Sequence, residues 1–184
     1  MQAARSFAAW YDGHLTRSPV VTKSATSCGL FGVGDGLAQS IEGGEGVDGR
    51  RVARMMAFGL LQAPPAHRWY NFLDRTVAGS GAGVVLRKVV ADQLTWTPAM
   101  TFVFFTYMNV AAGVAPAASV ADAQAKLLST LKVNYAVWPF IHCVTFSVVP
   151  LPYRVLWING CSCFWSAFLS LQSQAPPAPP PSAS

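Results

Sequence analysis

Residues 134–154 read Asn-Tyr-Ala-Val-Trp-Pro-Phe-Ile-His-Cys-Val-Thr-Phe-Ser-Val-Val-Pro-Leu-Pro-Tyr-Arg. The part between 135 and 149 has no formally charged side chain, with a Trp-Pro step at 138–139 and a Val-Pro step at 149–150. A proline inside an apolar run removes a backbone hydrogen bond and kinks a helix. Membrane helices tolerate this because neighbouring helices re-satisfy the freed carbonyl. The segment therefore predicts a kinked membrane helix with one semi-polar face, which carries Trp138, His142, Thr145 and Val149.

The composition of the whole chain indicates the same class. Its 184 residues are 52% hydrophobic and only 11% charged, whereas an average soluble domain is roughly 25% charged. The charged residues are too few to cover a soluble surface, and the apolar residues come in long blocks. We therefore expect an integral membrane protein whose main partner is the lipid bilayer.

The net charge of +5 does not predict nucleic-acid binding. Nucleic-acid binding requires a clustered basic stripe, and the basic residues of this chain are scattered. The clearest group is Arg50-Arg51, followed one turn later by Arg54. These residues are better explained as helix-end anchors at the lipid headgroups.

The apolar segments are separated by polar or glycine-rich loops and are long enough for four spans. The spans are predicted over residues 20–41, 52–73, 84–114 and 134–154. Residues 5–17 predict a short N-terminal amphipathic helix, and residues 153–171 a possible fifth, C-terminal helix that either packs on the bundle or lies at the membrane interface. The predicted fold class is all-α, a polytopic integral membrane helical bundle.

The chain is expected to form one folded domain with two different ends. The segments are an N-terminal amphipathic segment at 1–19, a helical membrane domain at 20–172 and a Pro/Ala-rich tail at 173–184. The tail cannot bury apolar surface and should be disordered. An alanine-rich loop is predicted at 115–124, before the fourth span.

Prolines interrupt two of the predicted spans. The Pro-Pro step at 64–65 cannot be regular helix throughout, so the second span is either kinked or ends near Gln62 with a re-entrant or interfacial continuation. Pro98 stands in the third span. The charged residues before it, at 87–93, are expected to emerge at the surface while the remainder spans.

Gly32 and Gly36 form a G-x-x-x-G pattern in the first span, which predicts close helix packing because small residues let backbones approach in lipid. Asp35 and Gln39 lie one turn apart on the same side. An acid at that depth is unfavourable unless it faces protein or water. The Gly-Val-Gly-Asp-Gly string does not predict a dinucleotide loop, because it lacks a preceding strand and the full glycine pattern.

Two interpretations of the polar residues inside the spans remain open. They either hydrogen-bond across the bundle to fix its packing, or they line a water-filled path. Asp35 and Asp92 are the strongest path candidates, since a carboxylate in lipid needs a cation or water. Arg54 and Lys88 are candidate partners, and Lys88 is four residues from Asp92. The full set of candidates for a pore or polar network is Asp35, Gln39, Arg54, His67, Lys88, Asp92, Gln93, His142 and Arg154, with Asn134 and Asn159 as further intramembrane polar groups.

The sequence predicts neither a metal site nor an enzyme. The three histidines lie on different segments, and none of the four cysteines forms a C-x-x-C pair, which also argues against a disulfide framework. No nucleophile-elbow spacing, phosphate loop or zinc-protease motif occurs. We therefore expect no cofactor.

Several short patterns recur in order along the chain. They are Trp10-Tyr11 before Pro19, Gly34-Asp35 before Gln39, Pro64-x-x-His67-x-Trp69-Tyr70, Lys88 and Asp92-Gln93 before Pro98, and Trp138-Pro139 before Pro150-x-x-Tyr153-Arg154. Together, from about 10 to 170, they resemble the Mpv-seventeen and twenty-two-kilodalton peroxisomal membrane protein family. The departures from the usual family residues are Ala63 for glycine, His142 for glutamine, Thr145 for asparagine and Phe168 for tyrosine.

The resemblance implies a small all-helical integral protein, usually with four spans. It implies a location in the peroxisomal membrane or the mitochondrial inner membrane. It also implies a channel or channel-like pore that passes small solutes and takes part in organelle homeostasis. The alternative is a non-conducting structural or regulatory protein that acts through helix–helix partner binding, including binding to a second copy of itself.

Overall fold

Helices form all the regular secondary structure in the part of the chain that the structure describes. A computed structural model describes residues 2–43, 46–79, 81–147 and 154–174. In chain order the elements are α1 (Gln2–Arg17), α2 (Pro19–Glu42), α3 (Gly49–Thr76), α4 (Ala82–Ala91), a π-helical turn (Asp92–Trp96), α5 (Thr97–Ala111), α6 (Pro116–Ser147) and α7 (Arg154–Gln174). The prediction of an all-α fold is confirmed, and α1 corresponds to the predicted N-terminal helix.

The turn between α2 and α3 is defined at both ends by local chemistry. Helix α2 ends at Gly43, which adopts the left-handed conformation with φ 73° that favours glycine at this position. Helix α3 begins after Asp48, whose carboxylate accepts hydrogen bonds from the backbone N–H groups of Arg50 at 2.9 Å and Arg51 at 3.2 Å. The hydrogen bond from the Arg51 N–H favours the charged carboxylate and lowers the pKa of Asp48.

The prolines at 64–65 do not end the helix that contains them. Helix α3 continues through Pro64 and Pro65, so the alternative in which this helix ends near Gln62 is wrong. The third predicted span is helical from Ala82 to Ala111, with the π turn just before Pro98. In that turn the Thr97 N–H bonds to the Asp92 carbonyl, five residues back.

The boundaries of α6 and α7 correct two predictions. Helix α6 begins at Pro116 and not near Asn134, so the predicted loop at 115–124 is wrong. Proline is favoured in the first turn, where its missing N–H has no role, and alanine is the best helix former. Helix α7 extends to Gln174, beyond the expected domain boundary at 172. Residues 175–184 of the tail expected at 173–184, and residues 148–153, lie outside the described residues.

The core lies where α2, α3, α5, α6 and α7 meet. Its buried apolar side chains are Phe31, Met55, Phe58, Phe104, Phe105, Met108, Ala123 and Leu169. Helix α2 packs along α3 on one side and α7 on the other, and α5 packs along α6. The C-terminal helix therefore adopts the first of its two predicted alternatives, packing on the bundle.

Glycines set the closest helix approaches, but not at both predicted positions. A Cβ at Gly32 would lie 2.7 Å from Cγ of Met56 in α3, whereas a Cβ at Gly36 would meet nothing within 4 Å. Gly36 therefore makes no close helix contact within the described part of the chain. Four residues exceed one helical turn by about 40°, so Gly36 is rotated away from Met56. The tightest contacts are made by Gly34 of α2 against Ser166 of α7, and by Gly59 of α3 against the backbone of Ser27 in α2.

Polar and apolar side chains are distributed unusually between surface and interior. Phe140 and Phe164 are 70% and 73% exposed. In contrast, several polar side chains have no exposed surface, namely Asp35, Ser119, Thr130, Ser166 and Ser170. Within the described residues, no helix is both long enough and apolar enough to cross a membrane.

Candidate functional site

A buried ion network joins three helices at one end of the bundle. Arg51 of α3 donates from Nε to Oδ1 of Asp35 in α2 at 2.8 Å, and both side chains are buried. The Ser170 hydroxyl of α7 donates to the same carboxylate oxygen, and Nε2 of Gln39 donates to the other at 2.8 Å. We refer to Asp35, Gln39, Glu42, Arg51 and Ser170 as the buried ion network.

The outer part of the same network completes the bonding of Arg51. Its Nη1 and Nη2 atoms donate to the two carboxylate oxygens of Glu42 at 2.5 and 3.0 Å, the two-pronged geometry that suits a guanidinium. Its Nη2 also donates to Ser170 at 3.0 Å. Oε1 of Gln39 accepts from the Asp48 N–H at 2.6 Å. Because these groups satisfy one another, the network is built to fix α2, α3 and α7 together.

The partner of Asp35 is a residue that sequence reasoning assigned elsewhere. Arg51 was expected at the headgroups, and the candidate partners were Arg54 and Lys88. Instead Arg54 has its Nε buried without a hydrogen-bond partner among the described residues. The signal that was available is the short connection between α2 and α3, which brings the end of one helix beside the start of the other.

Other predicted residues lie apart from this network. The ring nitrogens of His67 lie 3.4 Å from Nζ of Lys23 and 3.1 Å from Nδ2 of Asn71, and the contact with Lys23 connects α2 with α3. Lys88 lies on α4, one turn before Asp92. The side chains of His142 and Arg154 lie outside the described residues, as does that of Asn159.

A cavity of about 350 Å³ lies inside the bundle and is lined by residues of α2, α3, the π turn, α5, α6 and α7. We call it the central cavity. Its aromatic walls include Trp96, Trp138 and Trp165. The polar residues that line it are Ser27, Gln62, Tyr70, Asp92, Gln93, Thr97, Thr101, Asn134 and Ser162. Asp92 and Gln93 are the two predicted site residues that it brings together.

The Asp92 carboxylate is held by side chains from α3 and α5. Nε1 of Trp69 donates to Oδ1 at 3.0 Å, and the Thr97 hydroxyl lies 3.5 Å from Oδ2. The indole of Trp69 stacks on that of Trp96, with 5.8 Å between ring centroids. Tyr70 also lies close enough for its hydroxyl to interact with this carboxylate. Asp92 is therefore oriented at the wall of the central cavity.

Two amide side chains in the cavity wall have unsatisfied acceptors. Oε1 of Gln93 and Oδ1 of Asn134 are buried and have no hydrogen-bond partner among the described residues. Asn134 is only 5% exposed. Leaving such a group unpaired costs about 1–3 kcal/mol, so a donor that reached either buried oxygen would offset that cost. Asn134 was recognised only as a polar residue of a span, because sequence spacing does not bring α6 beside the π turn.

The described residues offer no obvious metal centre. They contain no group of three or more histidine, cysteine or acidic side chains that could hold a metal ion. The described cysteines, Cys28, Cys161 and Cys163, are free thiols. The chemistry that the central cavity can provide is hydrogen bonding and charge from Asp92, Gln93 and Asn134.

The fold and the site define a small helical bundle with a buried ion network, a central cavity that carries a few polar groups in a mainly apolar lining, and large apolar side chains on its exterior. Comparison with known proteins places this bundle in a family. Residues 109–170 match the sequence profile of the Mpv17 / PMP22 family, and curated relatives match over most of the chain. The chain belongs to the Mpv17 / PMP22 family.

Three relatives illustrate the extent of the similarity. Protein sym1 of Aspergillus oryzae is 36% identical over 167 residues, covering 88% of this chain and 95% of the relative. PXMP2/4 family protein 2 of Dictyostelium discoideum is 34% identical over 168 residues, 87% of each chain. Protein SYM1 of Saccharomyces cerevisiae is 31% identical over 174 residues, 89% of this chain and 88% of the relative. No solved structure matches.

Membership in this family makes the chain an organelle-membrane protein, with the peroxisomal membrane and the mitochondrial inner membrane as the two locations that the relatives indicate. This agrees with the location that the family resemblance implied. Proteins of this family are not known as enzymes.

Proposed function

We propose that the chain is a polytopic membrane bundle that lets small hydrophilic solutes pass through the central cavity. The observation that carries the proposal is the presence of three polar side chains, Asp92, Gln93 and Asn134, in the mainly apolar lining of this cavity. Buried amides without partners are unfavourable in a protein whose interior serves only for packing. Such amides are useful in a permeation path, where they replace the water molecules that a solute gives up as it enters.

The distribution of side chains supports a lipid environment. Large exposed apolar groups such as Leu94, Phe140 and Phe164 are typical of surfaces that contact membranes or partners. Asp35 and Gln39 of α2 are buried and face the interior of the bundle. Such inward orientation is expected of ionisable residues within a bilayer.

The first test concerns Asp92, whose carboxylate should favour cations over anions in the path. Replacement by asparagine keeps the shape and removes the charge. We expect Asp92→Asn to lower the cation-over-anion permeability ratio on the order of tenfold, or about 1.4 kcal/mol. The measurement is the reversal potential of the full chain, reconstituted in planar bilayers under a salt gradient.

The matched control is Asp12→Asn, which removes an exposed carboxylate from α1 and should leave the ratio unchanged. Thermal unfolding of each variant in the same detergent checks that the bundle is intact. Well-folded wild-type protein that produces no conductance would rule out the channel. An unchanged ratio in Asp92→Asn would remove Asp92 from the path.

A second candidate function is a non-conducting protein that binds another copy of itself through α2. The observation that favours it is the open face around Gly29, Val33 and Gly36. Val33 is 57% exposed, and a Cβ at either glycine would meet nothing within 4 Å. A thin surface of this kind lets a second helix approach closely in lipid.

The test of this candidate uses Gly36, because Gly32 already packs on Met56 of the same chain. We expect Gly36→Leu to reduce a crosslinked dimer in vesicles by at least about tenfold without affecting insertion, since a bulky side chain prevents backbone approach. Leu86→Ala, an exposed change on α4, serves as the control. A wild type that is monomeric at all protein-to-lipid ratios would exclude the dimer.

A further inference from the structure

The residues that line the central cavity include an aspartate, two amides whose carbonyl oxygens are buried and unsatisfied, and several tryptophans. The oxygens belong to Gln93 in the π turn and Asn134 in α6, and the carboxylate is that of Asp92. A cavity of about 350 Å³ falls within the range of roughly 300–1,000 Å³ that is usual for small-molecule sites. No hydrogen-bond donor among the described residues is directed at the side-chain oxygen of Gln93 or of Asn134.

We propose that the central cavity binds a small organic ammonium compound, with its N–H groups donating to Gln93 and Asn134 and its positive charge facing Asp92. The inference rests on the proposed function and extends it, because it names the class of solute that the path would hold. The binding step is non-covalent, and the solute enters with its charge unchanged.

The chemistry of the wall favours a cation with N–H donors over other small solutes. An ammonium group supplies up to three donors and no acceptor, which matches two acceptor oxygens and a carboxylate. Indole faces attract cations, and Trp96, Trp138 and Trp165 are all in the wall. An anion would face Asp92 without a basic side chain among the described lining residues. A neutral alcohol has one donor for the three groups.

The experiment measures binding of three probes that share a three-carbon chain but differ in charge: propylammonium, 1-propanol and propionate. The full chain is placed in nanodiscs of phosphatidylcholine, a lipid without net charge, so that the ammonium ion is not attracted to the bilayer surface. Calorimetric titration at neutral pH, corrected by empty nanodiscs, gives the affinities. We expect propylammonium to bind at least about tenfold more tightly than either other probe.

Two cavity variants and one control assign the site. Gln93→Leu and Asn134→Leu should each weaken propylammonium binding by about tenfold, since each removes an acceptor oxygen. Gln174→Leu, an exposed glutamine at the end of α7, should leave binding unchanged. Equal affinity for the three probes, or no binding to the wild type, would overturn the inference without any variant. Equal loss in all three variants would overturn it too.

The conductance measurement separates this inference from the proposed function. A conducting protein that does not prefer propylammonium retains the channel and loses the ammonium site. A protein that binds propylammonium at Gln93 and Asn134 but never conducts retains the site and loses the channel.

Discussion

Asp35→Ala is expected to lower the free energy of unfolding by roughly 3–5 kcal/mol. The change leaves the guanidinium of Arg51 buried without its inner carboxylate, and it removes an acceptor used by Ser170 and Gln39. Asp35 has no exposed surface, so water cannot replace the lost bonds. The same substitution should loosen α2 from both α3 and α7, because the buried ion network touches all three.

The measurement is chemical unfolding of the purified chain in detergent, followed by helical circular dichroism. Asp12→Ala, at an exposed acid of α1, should change the free energy of unfolding by no more than about 0.5 kcal/mol. The double variant Asp35→Leu with Arg51→Met removes both charges and should lose less than the sum of the single variants. A loss below about 1 kcal/mol in Asp35→Ala would mean that the network does not hold the helices together.

The helices were predictable because hydrophobicity acts locally along the chain. Long apolar blocks and a proline at position 19 were enough to place α2, and the short α1 followed from its aromatic residues. The start of α6 was missed because the prediction relied on apolar blocks. Residues 116–124 are rich in alanine, which favours helix through low conformational entropy loss but contributes little hydropathy, so the segment was taken for a loop.

The partners of the polar residues could be predicted much less well. Helical periodicity indicated that Asp35 and Gln39 share a face, and they do bond to each other. Helical periodicity could not show whether Arg51 or Arg54 pairs with Asp35, because the pairing depends on how α3 is rotated and on the turn that Gly43 and Asp48 define. Sequence spacing also gave no relation between Asp92 and Asn134, since packing of α5 on α6 creates it.

The first prediction removes a side chain from the interior. The second adds a methyl group where two helix backbones approach closely, and this addition should also destabilise the fold. Gly59 of α3 lies against α2, and a Cβ there would be 2.5 Å from the carbonyl oxygen of Ser27 and 2.8 Å from its carbonyl carbon. Both are backbone atoms, so no side-chain rotation relieves the clash. We expect Gly59→Ala to lower the free energy of unfolding by roughly 1–3 kcal/mol, the usual effect of overpacking.

The matched control is Gly29→Ala in α2, where a Cβ meets nothing within 4 Å. Both glycines lie inside helices, and alanine favours a helix by about 1 kcal/mol over glycine. Gly29→Ala should therefore stabilise the chain, so that the difference between the variants isolates the contact between α2 and α3. Stabilisation of both variants in the same unfolding assay would show that the two backbones do not approach at Ser27.

Ser27 also lines the central cavity. A clash at Gly59 should therefore alter conductance as well as stability, whereas Gly29→Ala should alter neither the conductance nor its ion selectivity.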